Sequence, residues 1–311
     1  LPRKGLADMR HVLTLFDLST SEIEAIFALA ATLKKAHASG VREPRFAGHV
    51  QALLFEKPSL RTRVSFETAF AHLGGTTMYL GADVGWGQRE SAADFSRVLT
   101  QYVDVVVCRA KEHARVEQLA AHASCPVING LTDRYHPCQA LADLFTLLEV
   151  HGRLAGLKLA YVGDANNVAR SLAIACAHLQ VRLAIAAPAD YQFDTAFLKL
   201  LEEHHPRLDL QVTTNPLEAL RDADGVYTDV WVSMGQEAER QQRVAVLRPY
   251  QVNGELMAAA PSRARFMHCL PAHRGEEVTD EVIDGPQSIV VPQAANRMHL
   301  QKGLLAWILA Q

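Results

Sequence analysis

Short hydrophobic runs alternate with amphipathic stretches along the whole chain. The runs 50–55, 103–108, 157–162 and 225–228 contain mainly aliphatic, β-branched and aromatic residues. They are too short for ordinary helices, so we predict that they are buried strands. The stretches between them carry apolar residues at helical spacing. Strand–helix alternation in both halves predicts an α/β protein with two domains, each a mostly parallel sheet flanked by helices.

Capping signals and turn residues mark the ends of several predicted elements. Ser19 precedes Glu22 by three residues, which is the pattern of a capping box, and an apolar helical face follows it. Pro137 suits the first position of a helix, where its missing N–H has no partner to lose. The pair Asn129 and Gly130 predicts a turn.

The chain is long enough for two domains of ordinary size. The first is predicted to span residues 1–145 and to be completed by a terminal helix at 294–311. The second is predicted to span 150–290. A last strand is expected at 288–291, ended by Pro292 before the terminal helix begins.

Composition and charge argue against several classes of protein. The 311 residues are 49% hydrophobic and 21% charged with a net charge of −3, which are globular values without a basic surface for nucleic acid. No apolar run reaches the length of a membrane span, and we expect no membrane partner. The N-terminal residues lack a signal-peptide pattern. Five cysteines without C-x-x-C spacing favour neither zinc nor disulfides, so we expect a cytoplasmic protein.

The segment 55–63, FEKPSLRTR, combines a helix start with two arginines. Ser59 can cap the helix, and the N–H groups of a first helical turn lack helical partners. These groups and the helix dipole favour an anion. Arg61 and Arg63 would oppose the dipole unless an anion neutralised them. Taken alone, the segment fits an anion site about as well as a solvated loop whose arginines pair with acids.

Four motifs in order along the chain give this segment a context. They are Ser-Leu-Arg-Thr-Arg at 59–63, His-Pro-Cys-Gln at 136–139, Asp-Val-Trp-Val-Ser-Met-Gly at 229–235 and His-Cys-Leu-Pro at 268–271. The set resembles the aspartate/ornithine carbamoyltransferase family over nearly the whole chain. The resemblance implies carbamoyl transfer from carbamoyl phosphate to the δ-amine of L-ornithine, with no cofactor and no metal. It also implies a homotrimer or a multiple of trimers, with the site in a cleft between the carboxyl ends of the two sheets.

The resemblance further implies which residues form the site. Those expected to bind carbamoyl phosphate are Ser59, Leu60, Arg61, Thr62, Arg109, His136, Gln139, Cys269, Leu270 and Arg297. Those expected to bind ornithine are Asn167, Asp229, Ser233 and Met234. Within this set the catalytic residues are expected to be Arg61, Thr62, Arg109, His136, Gln139, Asp229, Cys269 and Arg297. Forked guanidinium groups suit a phosphate, and donors on the carbamoyl oxygen suit a developing oxyanion.

Taken singly, several of these residues have a simpler interpretation. Arg109 near Lys111 fits a surface arginine, and a lone histidine such as His136 at a helix start is often a cap or a surface residue. Asp229 could cap a turn instead of holding an ammonium group. The four motifs together favour the functional interpretation.

The chain also departs from the family at two positions. Many members place a glutamine from a neighbouring subunit's loop on the phosphate, about five residues before a glutamate. Here Gly85 has that spacing before Glu90, so we assign no residue to this role. Leu60 replaces the usual threonine, where a backbone contact suffices.

Three other functions compete with ornithine carbamoylation. Dinucleotide binding is rejected because only Gly163 of a G-x-G-x-x-G pattern is present. A carbamoyltransferase acting on putrescine or N-acetylornithine remains open. So does a non-catalytic protein on the same fold.

Overall fold

The computed structural model describes residues 9–232 and 237–311 of the chain. These fall into two compact units. The first consists of the chain up to Leu141 together with Arg297–Gln311, and the second is Ala142–Asn296. Each unit contains its own sheet and its own hydrophobic core.

The first unit is built on a four-stranded parallel sheet. Its strands are β1 (Val50–Phe55), β2 (Thr76–Leu80), β3 (Val105–Arg109) and β4 (Val127–Leu131), in the spatial order β2-β1-β3-β4. Every residue of β3 is buried, as expected for a central parallel strand covered on both faces. The strand order reverses between β1 and β3. At such a reversal, the loops at the carboxyl ends of the strands leave a crevice for a ligand.

Two of the predicted helix starts in the first unit, at Ser19 and at Pro137, are confirmed. The helices of this unit are α1 (Thr20–Ala38), α2 (Leu60–His72), α3 (Ala92–Tyr102) and α4 (His113–Ala121), and α5 (Pro137–His151) begins in this unit at Pro137, as predicted. The capping box before α1 is confirmed, with the Ser19 N–H donating to Glu22 Oε2 at 2.7 Å and the Glu22 N–H donating to Ser19 Oγ at 3.3 Å. A cap of this kind contributes about 1 kcal/mol to stability.

The second unit is built on a five-stranded parallel sheet. Its strands are β5 (Lys158–Val162), β6 (Arg182–Ala186), β7 (Leu210–Thr213), β8 (Gly225–Thr228) and β9 (Arg265–His268), in the order β7-β6-β5-β8-β9. The order reverses between β5 and β8. Two fully parallel sheets flanked by helices confirm the predicted fold class.

The remaining helices belong wholly or partly to the second unit. They are α6 (Asn167–His178), α7 (Thr195–His204), α8 (Pro216–Leu220), α9 (Arg240–Leu247), α10 (Gly254–Ala258), α11 (Asp280–Ile283) and α12 (Val290–Ile308). Helix α12 starts in the second unit and ends in the first. None of the helices within 9–232 and 237–311 has both the length and the apolarity that a membrane crossing requires.

The turn predicted at Asn129 and Gly130 is wrong, because both residues lie inside β4. A Cβ on Gly130 would lie 3.2 Å from Val107 Cγ1 and 3.3 Å from the Cys108 carbonyl oxygen. The pairing of β3 with β4 shifts register between Cys108 and Arg109. The glycine therefore serves close strand packing at an irregular pairing, and not a turn.

The strand predicted at 288–291 is also wrong, and so is the predicted start of the last helix at 294. Helix α12 begins at Val290 and includes Pro292 in its first turn. Ser288 forms only an isolated bridge with Phe266. Proline is tolerated in a first turn because the N–H groups there have no helical acceptor. The β-branched pair Val290 and Val291 suggested a strand, but its position at a helix start overrides that propensity.

Candidate active site

Thr62 is the centre of a polar cluster at the start of α2, next to the carboxyl end of β1. Ser59 occupies the N-cap position with extended backbone, but its side chain does not cap the helix. Its Oγ lies 3.1 Å from Thr62 Oγ1 instead. The predicted Ser59 cap is therefore wrong. No side chain in the described part of the chain caps the first-turn N–H groups, and an external anion can accept from them.

Two buried guanidinium groups converge on the Thr62 hydroxyl. Arg297 Nη2 donates to Thr62 Oγ1 at 2.9 Å, and Arg109 Nη1 donates to the same oxygen at 3.4 Å. Arg297 Nη1 also donates to Gln139 Oε1. Arg109 is 8% exposed and Arg297 is 4% exposed. Burying two like charges close together is costly, so the cluster favours an anion that neutralises them.

His136 is buried beside these charges, at the residue preceding α5. Burial lowers the pKa of His136 well below its ordinary value, and the positive charges of Arg297 and Arg109 lower it further. The imidazole is therefore neutral at physiological pH. A neutral imidazole has one N–H donor and one acceptor nitrogen, so it can donate to a carbonyl oxygen.

The two arginines of the α2 turn have different surroundings. Arg63 Nε lies 2.9 Å from Glu67 Oε1, and its guanidinium lies 4.0 Å from the centre of the Tyr79 ring. Arg61 is half-buried and forms no hydrogen bond or ion pair with any residue that the structure describes. Leu60, between Ser59 and Arg61, is 75% exposed and contributes no packing here. These surroundings favour Arg61 over Arg63 as the predicted anion ligand of this turn.

In the second unit, Asp229 follows β8 at the carboxyl edge of the sheet and is buried. Its Oδ1 accepts hydrogen bonds from Cys269 Sγ at 2.9 Å and from the Val230 N–H at 2.8 Å. Its Oδ2 accepts from Asn166 Nδ2 at 2.7 Å. The predicted pair Asp229 and Cys269 is therefore in direct contact, at the ends of the neighbouring strands β8 and β9.

Family models for both halves match this chain. The model described as "Aspartate/ornithine carbamoyltransferase, carbamoyl-P binding domain" matches residues 10–149, and "Aspartate/ornithine carbamoyltransferase, Asp/Orn binding domain" matches residues 155–308. The chain belongs to the aspartate/ornithine carbamoyltransferase family.

Curated and solved relatives agree with this assignment to the carbamoyltransferases. An ornithine carbamoyltransferase of Anoxybacillus flavithermus is 50% identical over 303 residues, covering 96% of each chain. One from Bacillus subtilis is 49% identical, covering 96% of this chain and 94% of its own. The solved ornithine carbamoyltransferase of Pyrococcus furiosus superposes with a TM-score of 0.93 at 47% identity, covering 97% of both chains.

The predicted carbamoyltransferase site residues fall into two sets, one in each unit. Hydrogen bonds join four of them in the first unit, namely Thr62, Arg109, Gln139 and Arg297. The charges of both arginines also lower the pKa of His136. Asp229, Cys269 and Leu270 lie in the second unit. Ser233 and Met234 lie outside the described residues. The catalytic and binding roles of all these residues remain predictions.

The sequence pattern indicated Asn167 for the ornithine site, and the structure adds its neighbour Asn166, which contacts Asp229. Asn166 is the N-cap of α6, and its Oδ1 accepts from the N–H groups of Val168 and Ala169 at 2.9 and 3.2 Å. These bonds orient the amide so that Nδ2 donates to Asp229. Asn167 is the first residue of α6, half-buried, and its carbonyl accepts from Ser171 Oγ. Asparagine is favoured at an N-cap, and this preference could have identified Asn166.

Arg243 and Asp164, which the sequence analysis did not identify, hold the segment after Asp229. Arg243 Nε donates to the Trp231 carbonyl oxygen at 2.6 Å, and its Nη2 forms an ion pair with Asp164. Trp231 is fully buried. Burial raises the pKa of Asp164 to about 6, although the Arg243 charge opposes this rise. Arg243, held by Asp164, therefore fixes the position of Trp231 in the segment that follows β8.

Cys138, the cysteine of the His-Pro-Cys-Gln motif, is buried. Cys138 Sγ points to the Asn129 carbonyl oxygen at 3.6 Å, and burial raises the pKa of the Cys138 thiol to about 12. It is a packed thiol in the core of the first unit.

The loop 81–91 carries the departure from the family pattern. Gly85 adopts a positive φ of 68°, and Trp86 is buried beneath the Arg115 guanidinium at 4.4 Å. Arg115 Nε also lies 2.8 Å from Glu56 Oε1. The loop borders a cavity of about 120 Å³ lined by Leu54, Phe55, Glu56, Gly81, Ala82, Trp86, Gln88 and Lys111. The glycine therefore shapes the loop, and Trp86 packs against the first unit.

Two groups of side chains in the described parts of the chain have ligand atoms within 4.8 Å of one another. They are Asp229, His268 and Cys269, and His273, Glu276 and Glu277. Several of these atoms already take part in hydrogen bonds, including Cys269 Sγ and both oxygens of Asp229. The expectation that no metal takes part stays a prediction.

Proposed function

We propose that this protein transfers the carbamoyl group of carbamoyl phosphate to the δ-amine of L-ornithine, giving L-citrulline and phosphate. The observation that carries the proposal is the buried pair of guanidinium groups on Thr62 at the start of α2. A buried, doubly positive cluster suits a phosphate dianion, especially beside first-turn N–H groups that no described side chain caps. The first set of residues would therefore bind carbamoyl phosphate.

Phosphate and carbamoyl group would bind to different members of the first set. The phosphate would accept from the first-turn N–H groups of Ser59 to Thr62, from Arg61 and from Arg109. The carbamoyl oxygen would accept from Thr62, His136 and Arg297. Gln139 holds Arg297 by accepting from its Nη1. The neutral state of His136 matters here, because an imidazolium would add a third positive charge to a buried cluster.

The chemical step would then be an addition followed by an elimination. The neutral δ-amine of ornithine attacks the carbonyl carbon and forms the new C–N bond. Negative charge develops on the carbonyl oxygen, where preorganised donors stabilise it. The C–O bond to phosphate then breaks, and phosphate leaves with the bonding electrons. The departing phosphate accepts a proton from the amine, so no cofactor is required.

Ornithine would bind in the second unit. The Asp229 carboxylate, held by Asn166 and Cys269, would accept from the α-ammonium group. Asn167, Ser233 and the Met234 backbone would complete the pocket. Holding both substrates in a reactive arrangement supplies much of the rate enhancement. N-acetylornithine lacks an α-ammonium group and would leave the buried Asp229 without a partner. Putrescine keeps a second amine for Asp229 but lacks the α-carboxylate of ornithine.

The assembly and cellular location form part of the same proposal. We propose a homotrimer or a multiple of trimers, as the family resemblance implies. We place the protein in a reducing cytoplasm, a location supported by the lack of a disulfide bond among the cysteines that the structure describes. Light scattering on the purified protein tests the trimer, since a monomer would contradict it.

A substrate panel tests the proposed reaction. Purified protein is given carbamoyl phosphate with ornithine, putrescine, N-acetylornithine or aspartate, and the ureido product is measured. We expect ornithine to give the highest kcat/KM. A higher kcat/KM with another amine, or no turnover with any of them, would overturn the proposal.

A further inference from the structure

His268 and Glu277 form a fully buried pair of ionisable side chains in the second unit. Each side chain is 0% exposed, and His268 Nε2 lies 3.1 Å from Glu277 Oε1. The second oxygen, Glu277 Oε2, has no hydrogen-bond partner among the described residues. His273 Nδ1 lies 3.8 Å from this oxygen, which is too far for a hydrogen bond. A buried carboxylate oxygen without a hydrogen bond reduces stability. Such an arrangement needs a reason beyond packing.

The hydrogen bonds determine which nitrogen of His268 carries the proton. The Leu270 N–H donates to His268 Nδ1 at 2.8 Å. A nitrogen that accepts this bond cannot hold a proton itself. The proton is therefore on Nε2, where it is donated to Glu277 Oε1. Glu277 thus fixes the histidine in the one neutral form that can accept from Leu270.

The same carboxylate oxygen, Glu277 Oε1, also binds the backbone at the other end of the segment 268–273. Glu277 Oε1 accepts from the His273 N–H at 2.6 Å. Glu277 is itself held in place, since its carbonyl oxygen accepts from the Val252 N–H at 2.9 Å. One oxygen therefore connects both ends of the segment 268–273.

The residues between these two bonds are the ones predicted to face substrate. Leu270 has a φ of +58°, a left-handed conformation that a leucine adopts only when its surroundings hold it. Cys269, its neighbour, donates from Sγ to Asp229 Oδ1 at 2.9 Å. A shift of Leu270 would therefore move Cys269 relative to the Asp229 carboxylate.

We propose that Glu277, acting through the Nδ1 atom of His268, is a positioning residue for Cys269 and Leu270. It contacts neither substrate in the proposed reaction. Glu277 selects the tautomer of His268. This tautomer holds Leu270 in its left-handed conformation, and that conformation sets the contact between Cys269 and Asp229. The kinetic part of this inference rests on the proposed function, and the structural part does not.

Two pairs of variants separate positioning from simple packing. Glu277→Gln keeps an oxygen for both donors, whereas Glu277→Leu removes it with little change in volume. His268→Asn places its amide oxygen near the position of Nδ1 and keeps the acceptor for Leu270. His268→Gln reaches toward Glu277 but leaves the Leu270 N–H without its acceptor.

The first readout is the alkylation rate of Cys269, measured by mass spectrometry in the absence of substrates. Cys269 is half-exposed and the other four cysteines are buried, so labelling is selective. We expect Glu277→Leu and His268→Gln to change the rate by about tenfold, as for loss of one buried hydrogen bond. We expect Glu277→Gln and His268→Asn to stay near wild type. Circular dichroism confirms that each variant is folded.

The second readout is the KM for ornithine compared with the melting temperature. Glu277→Leu should raise this KM, and Glu277→Gln should restore it. Equal labelling rates and equal KM values in folded Glu277→Leu and Glu277→Gln would overturn the inference, as would His268→Gln behaving better than His268→Asn. A wild type without ornithine activity would overturn the proposed function instead, and the labelling experiment would still decide the positioning role.

Discussion

Exchanging Asp229 and Asn166 separates the contribution of Asp229 to stability from its proposed binding of ornithine. Asp229→Asn replaces one carboxylate oxygen by an NH₂ group. Val230 and Cys269 both donate to Oδ1, so the new NH₂ would face the Asn166 Nδ2 donor. Asn166 cannot reverse its amide cheaply, because its Oδ1 already accepts from two N–H groups of α6. Two donors would therefore face each other in a buried place.

The structure sets the size of the expected effects. A buried donor without an acceptor costs about 1–3 kcal/mol, and each kcal/mol lowers the melting temperature by roughly 2–4 °C in a protein of this size. Loss of the charge under an ornithine ammonium group costs about 1.5–3 kcal/mol, or about tenfold to 150-fold in kcat/KM for ornithine. Carbamoyl phosphate affinity should stay near wild type.

The double variant Asp229→Asn with Asn166→Asp should restore stability but not ornithine turnover. Aspartate is as good an N-cap as asparagine, and residue 166 would now accept from the new amide at 229. We expect the melting temperature to recover while kcat/KM for ornithine stays low, because the carboxylate has moved. Calorimetry and steady-state kinetics on all four proteins measure this. Recovery of ornithine turnover together with stability would refute the ammonium-binding role of Asp229.

Three further predictions concern the first unit. Arg61→Ala should weaken carbamoyl phosphate binding, measured by calorimetry, at least about tenfold. Arg63→Ala removes an exposed ion pair and should change this affinity less than about threefold. Equal effects of the two variants would contradict the assignment of Arg61. Thr62→Val should lower kcat by about a hundredfold or more, while Thr62→Ser keeps the hydroxyl and most of the rate; a fully active Thr62→Val would remove the hydroxyl from the mechanism. Burial lowers the pKa of His299 to about 3 and that of His72 to about 4. Because the unfolded chain binds more protons below pH 6.5, the melting temperature should fall as pH drops from 6.5 toward 4, and less steeply in His299→Gln; an unchanged pH dependence would contradict this.

The sequence predicted those features that depend on local pattern. Ser19 and Glu22 form the expected capping box, and Asp229 lies at the end of a strand as its apolar run indicated. The features that it did not predict depend on contacts between distant segments. Gly130 and Pro292 are ordinary turn and breaker residues locally, and their actual roles follow from a neighbouring strand and a helix start.

The candidate site was predicted less completely than the fold. Two adjacent asparagines are equivalent in the sequence, and only the position of the α6 cap shows that residue 166, not 167, reaches Asp229. Glu277 lies nine residues after His268, and its bond to that histidine depends on how the intervening turn closes. Arg243 is one of many arginines in the chain until its bond to Trp231 is seen. Supporting residues of this kind have no local signature.

The position of Arg297 in α12 has a consequence for synthesis of the chain on the ribosome. Its bond to Thr62 joins residues 235 positions apart, and both belong to the first unit. At about 5–20 residues per second, Thr62 would wait on the order of 10–50 seconds for this partner. All of the second unit is translated in that interval and can fold first. A nascent chain therefore cannot assemble its cationic cluster early, and ribosomes stalled before α12 would release chains without this arginine.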